Sequence, residues 1–176
     1  MKRSLLFAFC IIAGMVFYSC VSKPKGCMEG DCTNGPGKRT LSEDTTYAGD
    51  FKNGKIEGKG IMEWKKSGSK YDGEFRDNKR YGKGEFRFPS KAVYNGEYIA
   101  DVKQGKGIYT WPNGDSYDGE WANGNMSGKG AYAWKQGDKY DGEWKDGLMN
   151  GMGTYSWKDG SSVKGVFQNG NLAEMK

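Results

Sequence analysis

The side chains able to do chemistry fall into a few sets. The acid pairs Asp72/Glu74, Asp118/Glu120 and Asp141/Glu143 are the kind of carboxylates that general acid/base catalysis uses. Four cysteines, Cys10, Cys20, Cys27 and Cys32, could serve acylation, disulfide formation or metal ligation. The stretch Gly35-Pro36-Gly37-Lys38-Arg39 touches on a phosphate-binding loop, but the spacing to an earlier Gly and the residue after Lys are both wrong, so it reads as linker. Histidine is absent, which removes Ser-His-Asp and Cys-His relays and every His-containing metal site. The acid pairs recur at one position of an internal repeat and so answer to architecture. Opposite Lys83, Lys106 and Lys129 on neighbouring strands, they make a solvated charge ladder. Each exposed pair contributes about 0 to 1 kcal/mol and discourages edge aggregation. A lipid-active or glycan-active enzyme would need a catalytic constellation that differs between units. None is present, and no catalytic residue, metal or cofactor is expected.

The elements that must carry these side chains follow from composition and period. The chain has 176 residues, 14% aromatic and 28% charged, with 29 glycines and four prolines. That is a ring-rich, glycine-rich folded body of about one domain, and not an aliphatic helical globule. A net charge of +5 with both signs interspersed argues against nucleic acid as a partner.

Lys2 and Arg3 precede a continuous apolar run from Leu5 to Phe17, too short to span a bilayer, so residues 1–19 read as an export signal forming a signal helix. Ser19-Cys20 directly after that run resembles the lipobox of bacterial lipoproteins, although Phe17 and Tyr18 stand where Leu and Ala or Ser are usual. The resemblance implies that Cys20 is acylated and becomes the first residue of a lipoprotein at the bacterial cell envelope, on its periplasmic or surface face. Ordinary secretion and an uncleaved anchor are the alternatives. Residues 20–46 read as a lipidated cysteine followed by a flexible, disordered tether. Cys27 and Cys32 lie inside it, and in an oxidising envelope a short-loop disulfide is their expected fate. Metal binding is the alternative, but two thiolates without a second Cys pair or His leave a tetrahedral site incomplete.

From Tyr47 the sequence repeats itself. Tyr47, Tyr71, Tyr94, Tyr117, Tyr140 and Val163 are followed two places on by Gly49, Gly73, Gly96, Gly119, Gly142 and Gly165. Two places further stand Phe51, Phe75, Tyr98, Trp121, Trp144 and Phe167. Each unit then carries a Gly-x-Gly pair, from Gly58/Gly60 to Gly151/Gly153, and a second ring at Trp64, Phe88, Trp111, Trp134 and Trp157. A fixed period of this kind is an array. Within a unit the rings and glycines alternate with charged or small residues, which is a strand period, and Asn123-Gly124 between the two halves is a hairpin turn. If Trp121 pairs with Gly130, rings lie opposite glycines, and each ring fills the space a glycine leaves. One buried aromatic contributes at most about 4 to 6 kcal/mol, enough for a few rings per unit to hold a sheet with no second layer.

The pattern Tyr-x-Gly-x-ring followed by Gly-x-Gly-x-x-x-ring resembles the MORN (membrane occupation and recognition nexus) repeat, over residues 47–170 with residues 171–176 as a tail. Gly68, Lys91 and Val163 depart from it, the last as suits a capping unit. The resemblance implies an all-β, elongated, single-layer antiparallel meander of hairpins used as a non-catalytic binding or scaffolding surface for a protein partner. Residues 47–93 carry 12 basic and 7 acidic side chains and residues 94–162 carry 7 and 10. Arg76, Lys79, Arg80, Lys83 and Arg87 are therefore candidate contacts to anionic phospholipid, at about 1 kcal/mol each. Tyr98, Tyr109, Trp111, Trp121, Tyr132 and Trp134 are the candidate binding face, as core or as an open apolar patch. Exposed strand edges make homo-oligomers by end-to-end pairing a further expectation. The rival family is the cell-wall or glycan-binding aromatic repeat, whose rings stand adjacent rather than alternating as in Tyr132-Ala133-Trp134.

Overall fold

The computed structural model describes residues 24–176. The expected signal helix and the lipidation site Cys20 lie outside the described residues. Among the described residues, fourteen strands follow one another in one open antiparallel sheet whose spatial order is the chain order. They are β1 (Cys27–Gly30), β2 (Gly35–Thr40), β3 (Thr45–Lys52), β4 (Lys55–Trp64), β5 (Ser69–Arg76), β6 (Lys79–Arg87), β7 (Val93–Ile99), β8 (Val102–Thr110), β9 (Ser116–Ala122), β10 (Asn125–Ala133), β11 (Lys139–Lys145), β12 (Leu148–Ser156), β13 (Ser162–Gln168) and β14 (Asn171–Met175). The expected all-β hairpin meander is the observed fold.

Turn chemistry fixes the hairpins. Asn123 and Gly124 have φ of 50° and 84°, the left-handed pair of a type I′ turn that matches strand twist. The Gly124 N–H reaches back to the Lys103 carbonyl at 3.0 Å, so each turn also docks on the unit before it.

The register differs from the expected one. Gly130 faces Gly119, Tyr132 faces Tyr117, and Trp121 faces Met126, with a bulge between Ser127 and Gly130. The bulge takes extra residues into β10 and slides everything beyond it. Rings do face glycines, but between units: Trp121 lies opposite Gly105 and Trp144 opposite Gly128. Gly128, at φ 60°, takes the left-handed conformation that the bulge demands.

Two further expectations are corrected at the ends. Residues 27–46 are not a flexible tether, because β1 and β2 extend the sheet, with Gly37 paired to Gly49 and Arg39 to Tyr47. Cys27 and Cys32 form a disulfide, and Cys32 is buried in the core cluster. Gly35 and Gly37 stand one period before Gly58 and Gly60, so this hairpin ends in a degenerate half-unit. Residues 171–175 are likewise no tail but β14, paired to β13 through Phe167 and Leu172.

Candidate functional site

The rings form two rows on one face. The inner row zigzags from Phe51 through Tyr47, Phe75, Tyr71, Tyr98, Tyr94, Trp121, Tyr117, Trp144 and Tyr140 to Phe167, with centroids 4.8–5.4 Å apart and near-perpendicular planes. Edge-to-face contact is the arrangement aromatic quadrupoles favour. Tyr47, Tyr71, Tyr94, Tyr117 and Tyr140 are fully buried. A flat single layer cannot bury a side chain completely, so the bulges must bend each strand around this row. Each of these tyrosines donates its hydroxyl to the carbonyl three residues on, as Tyr117 does to Glu120 at 2.9 Å. Its ring lies over its own glycines: a Cβ added to Gly119 would sit 2.5 Å from the Tyr117 hydroxyl oxygen. Burial pushes the hydroxyl pKa of Tyr47, Tyr71, Tyr94 and Tyr117 well up and carries Tyr98 to about 12.

The outer row is open. Trp64, Phe86, Phe88, Tyr109, Trp111, Tyr132, Trp134, Tyr155 and Trp157 follow one another with tilted planes and centroids 4.5–5.6 Å apart. The first eight are partly buried against the core, and Trp157 is 42% exposed. The six candidate face residues therefore divide. Tyr98 and Trp121 belong to the buried inner row, at 3% and 4% exposure, because the ring two places after the glycine is turned under the bend. The Trp121 indole N–H is also fastened to the Gly107 carbonyl at 2.9 Å. Tyr109, Trp111, Tyr132 and Trp134 lie on the open ribbon. The remaining ribbon rings, Trp64, Phe86, Phe88, Tyr155 and Trp157, could have been found from the same repeat positions. The Tyr132 and Tyr155 hydroxyls donate to Asp115 and Asp138 at 3.0 and 2.9 Å. Burial and the Asp115 carboxylate carry Tyr132 to about 12.

The charged candidates do not form one cluster. Arg80 lies on the ring face, 5.0 Å over Tyr98, and pairs with Asp101 at 2.9 Å. Arg87 pairs with Glu85 at 2.7 Å, and Arg76 stacks on Tyr81 at 3.9 Å. Lys79 is exposed beside Arg76 across a turn, and Lys83 is exposed opposite Glu97. The ladder is in register, with Lys106 facing Glu120 and Lys129 facing Glu143. Among the described residues those lysines make no ion pair within 4.0 Å. The glutamates turn instead to the bulges: the Lys83 N–H donates to Glu74 at 3.2 Å and the Met152 N–H to Glu143 at 3.0 Å. These carboxylates satisfy amides that the bulge leaves unpaired. No three His, Cys, Asp or Glu side chains among the described residues converge as a metal set would.

Known proteins share the repeat sequence that builds this arrangement. The MORN repeat model matches residues 47–69, 71–93, 94–116, 117–139 and 140–162. Alsin from Rattus norvegicus is 41% identical over 56 residues, 32% of this chain and 3% of Alsin. Alsin from Homo sapiens is 41% identical over 51 residues, 29% of this chain and 3% of Alsin. The chain thus spans only a small part of the length of these curated relatives, and the likeness concerns the repeats. Five matched units that cover more than half of the sequence, each built on the same buried tyrosine and bulge, mean that the chain belongs to the MORN repeat family.

Proposed function

We propose that this MORN repeat chain is a non-catalytic binding or scaffold module, held at the bacterial cell envelope by a lipid on Cys20. One observation carries the binding reading: the half-exposed ribbon of rings from Trp64 to Trp157 continues across the units with the core already complete beneath it. The inner row accounts for the stability of the fold. The outer row is a contiguous apolar strip of the kind that marks partner surfaces, and aromatic side chains are enriched in interface cores. A protein partner fits it better than an anionic membrane, since two of the five cations proposed for lipid contact are already paired. The N-terminal anchor then supplies membrane attachment, and a doubly or triply acylated cysteine needs little help from surface charge.

A photo-crosslinking side chain placed in cells at Trp134, against one at Lys129 on the opposite face, tests the ribbon. Protein adducts confined to position 134 support the reading, and adducts absent there or equal at both positions overturn it. Membrane fractionation with intact-mass analysis of the wild type and Cys20→Ser tests the anchor. Acyl mass on a product beginning at Cys20, lost in the variant, is the expected result. The outer edges of β1 and β14 are the two ends of the sheet order, and end-to-end association through them is part of the same proposal. Sedimentation across concentrations tests it, and a strict monomer refutes it.

A further inference from the structure

Two departures from the repeat meet in the third unit. The residue nine places after the repeat tyrosine points into the ring layer, and it is Ile56, Arg80, Lys103, Met126 and Met149 in successive units. Arg80 lies over Tyr98 and Phe86 at 5.0 and 5.2 Å, with the Asp101 carboxylate 2.9 Å from its Nε. One unit on, the place of Asp101 is taken by Gly124. Lys103 therefore carries its Nζ onto Trp121 at 3.8 Å and Tyr109 at 5.0 Å, with no carboxylate within 4.0 Å among the described residues. The second departure concerns Tyr109. Tyr132 and Tyr155 donate their hydroxyls to Asp115 and Asp138, but the residue in that place for Tyr109 is Ala92. Among the described residues the Tyr109 hydroxyl has no acceptor, and its ring sits on the open ribbon between Phe88 and Trp111. The cation is satisfied in the unit before, where Arg80 pairs with Asp101, and the phenol in the unit after, where Tyr132 donates to Asp115; here an ammonium and a phenol lie in one place with neither acceptor. A half-buried cation without a counterion is costly, and a carboxylate meeting both donors would make charge-assisted hydrogen bonds.

We propose that Lys103 and Tyr109 receive the carboxylate of an acidic side chain on a protein partner, whose adjoining apolar residue lies on Phe88, Tyr109 and Trp111. This rests on the reading of the ribbon as a docking surface and adds the chemistry of what docks. The charge around the site favours one local carboxylate over an anionic membrane, because residues 94–162 carry 10 acidic against 7 basic side chains. Lys83 and Arg87, moreover, alternate onto the other face of β6 from Arg80.

The test is selection of a random peptide library displayed on phage against the full chain in detergent micelles, run with the wild type, Lys103→Met and Gly124→Asp. Met is the residue at the matching places 126 and 149, and Asp101 already holds φ 73° where Gly124 holds 84°, so both variants keep a side chain the fold accommodates. Near-ultraviolet circular dichroism checks that they do. The wild type is expected to enrich an acidic residue next to an aromatic or aliphatic one. Lys103→Met loses the acidic preference and keeps the apolar one, with affinity for the selected peptide down about tenfold. Gly124→Asp does the same by supplying the carboxylate from within. Equal acidic enrichment on all three proteins overturns the receptor and leaves the docking surface standing. No enrichment on any overturns both. Displacement of the peptide by phosphatidylglycerol in mixed micelles, absent in Lys103→Met, would assign the lysine to lipid headgroups and overturn the protein partner.

Discussion

Lys103→Met is expected to stabilise the array at neutral pH. Burial in the ring layer brings the Lys103 amine from 10.5 to about 8, which sets an upper limit of about 3 kcal/mol on the cost of holding it charged. The side chain keeps part of its surface in solvent, and its stacking on Trp121 repays part of the cost. A gain of about 1 to 2 kcal/mol is the discounted figure. The sign follows from linkage. Above 10.5 the amine is neutral in both states and no penalty exists. As pH falls from 10.5 to 8 the unfolded chain takes up a proton that the folded chain resists, so the penalty grows and is complete below 8. The advantage of Met should therefore be largest near pH 7 and shrink towards pH 10.5. Urea unfolding followed by near-ultraviolet circular dichroism, wild type against variant at both pH values, measures it. Tyrosine ionisation at the higher pH affects both proteins alike and drops out of the difference. A variant no more stable at pH 7, or an advantage of the same size at both pH values, would refute the reasoning. A residue that costs stability and is nevertheless present is what a functional surface position looks like.

Gly130→Ala should cost about 3 kcal/mol in a urea titration, because its Cβ would meet the Tyr117 ring at 2.5 Å. Gly124→Ala, at φ 84° with open space around it, should cost only about 1 kcal/mol, and equal losses would contradict the packing argument. Alkaline titration should show a late, cooperative rise in phenolate absorbance. Burial raises Tyr47, Tyr71, Tyr94 and Tyr117 and carries Tyr98 and Tyr132 to about 12. The stability they contribute is full below pH 10 and lost as pH climbs through their folded values, so gradual ionisation near 10 without unfolding would refute it. Removing the disulfide by Cys27→Ala with Cys32→Ala should cost about 2 kcal/mol. Amide exchange should accelerate in β1 to β3 and stay unchanged from β7 onward, since contacts in such arrays run between neighbours.

The strand period, the hairpin turns and the identity of the ring positions were legible in the sequence because each rests on local alternation. Register was not, because a bulge changes which residue faces which without changing the spacing along the chain. Its trace is the first glycine of each Gly-x-Gly pair, whose φ the sequence does not print, together with the acidic residue at Asp50, Glu74, Glu97, Glu120 and Glu143 that leans over it. Gly35-Pro36-Gly37 reads as a breaker on its own. Only its phase, one period before Gly58 and Gly60, marks it as the half-unit that closes the sheet, with the Cys32 sulfur over Gly37 where the repeat tyrosine covers the matching glycine in later units. The candidate face was half legible. Period 2 places Tyr98 and Trp121 on the same side as Tyr109 and Trp111, and only the bend separates the buried row from the open one.

That separation decides where specificity can reside. The repeat tyrosine, its glycines and the bulge carboxylate answer to the fold in every unit, so a change there unfolds a unit before it alters what the unit recognises. The ribbon rings are shared by the units and supply area without address. What remains are places that the fold tolerates as polar or apolar: the ninth position, held by Ile56, Arg80, Lys103, Met126 and Met149, and the position two residues before the repeat tyrosine or Val163, held by Ser69, Ala92, Asp115, Asp138 and Ser161. Three of them pair with a residue one unit away: Arg80 with Asp101, Asp115 with Tyr132 and Asp138 with Tyr155. Where both partners are present the polar group is neutralised within the array and the surface there is bland. At Lys103 and Tyr109 both partners are missing in the same unit, so the array exposes an unmet demand for a negative acceptor at one point along an otherwise uniform apolar strip. A partner that lies along the ribbon could slide by a whole unit at little cost. A carboxylate met only at Lys103 and Tyr109 would fix its register, and moving the lysine (Lys103→Met with Met126→Lys) while freeing the Tyr132 hydroxyl by Asp115→Ala should move the crosslinks of a bound peptide by one unit.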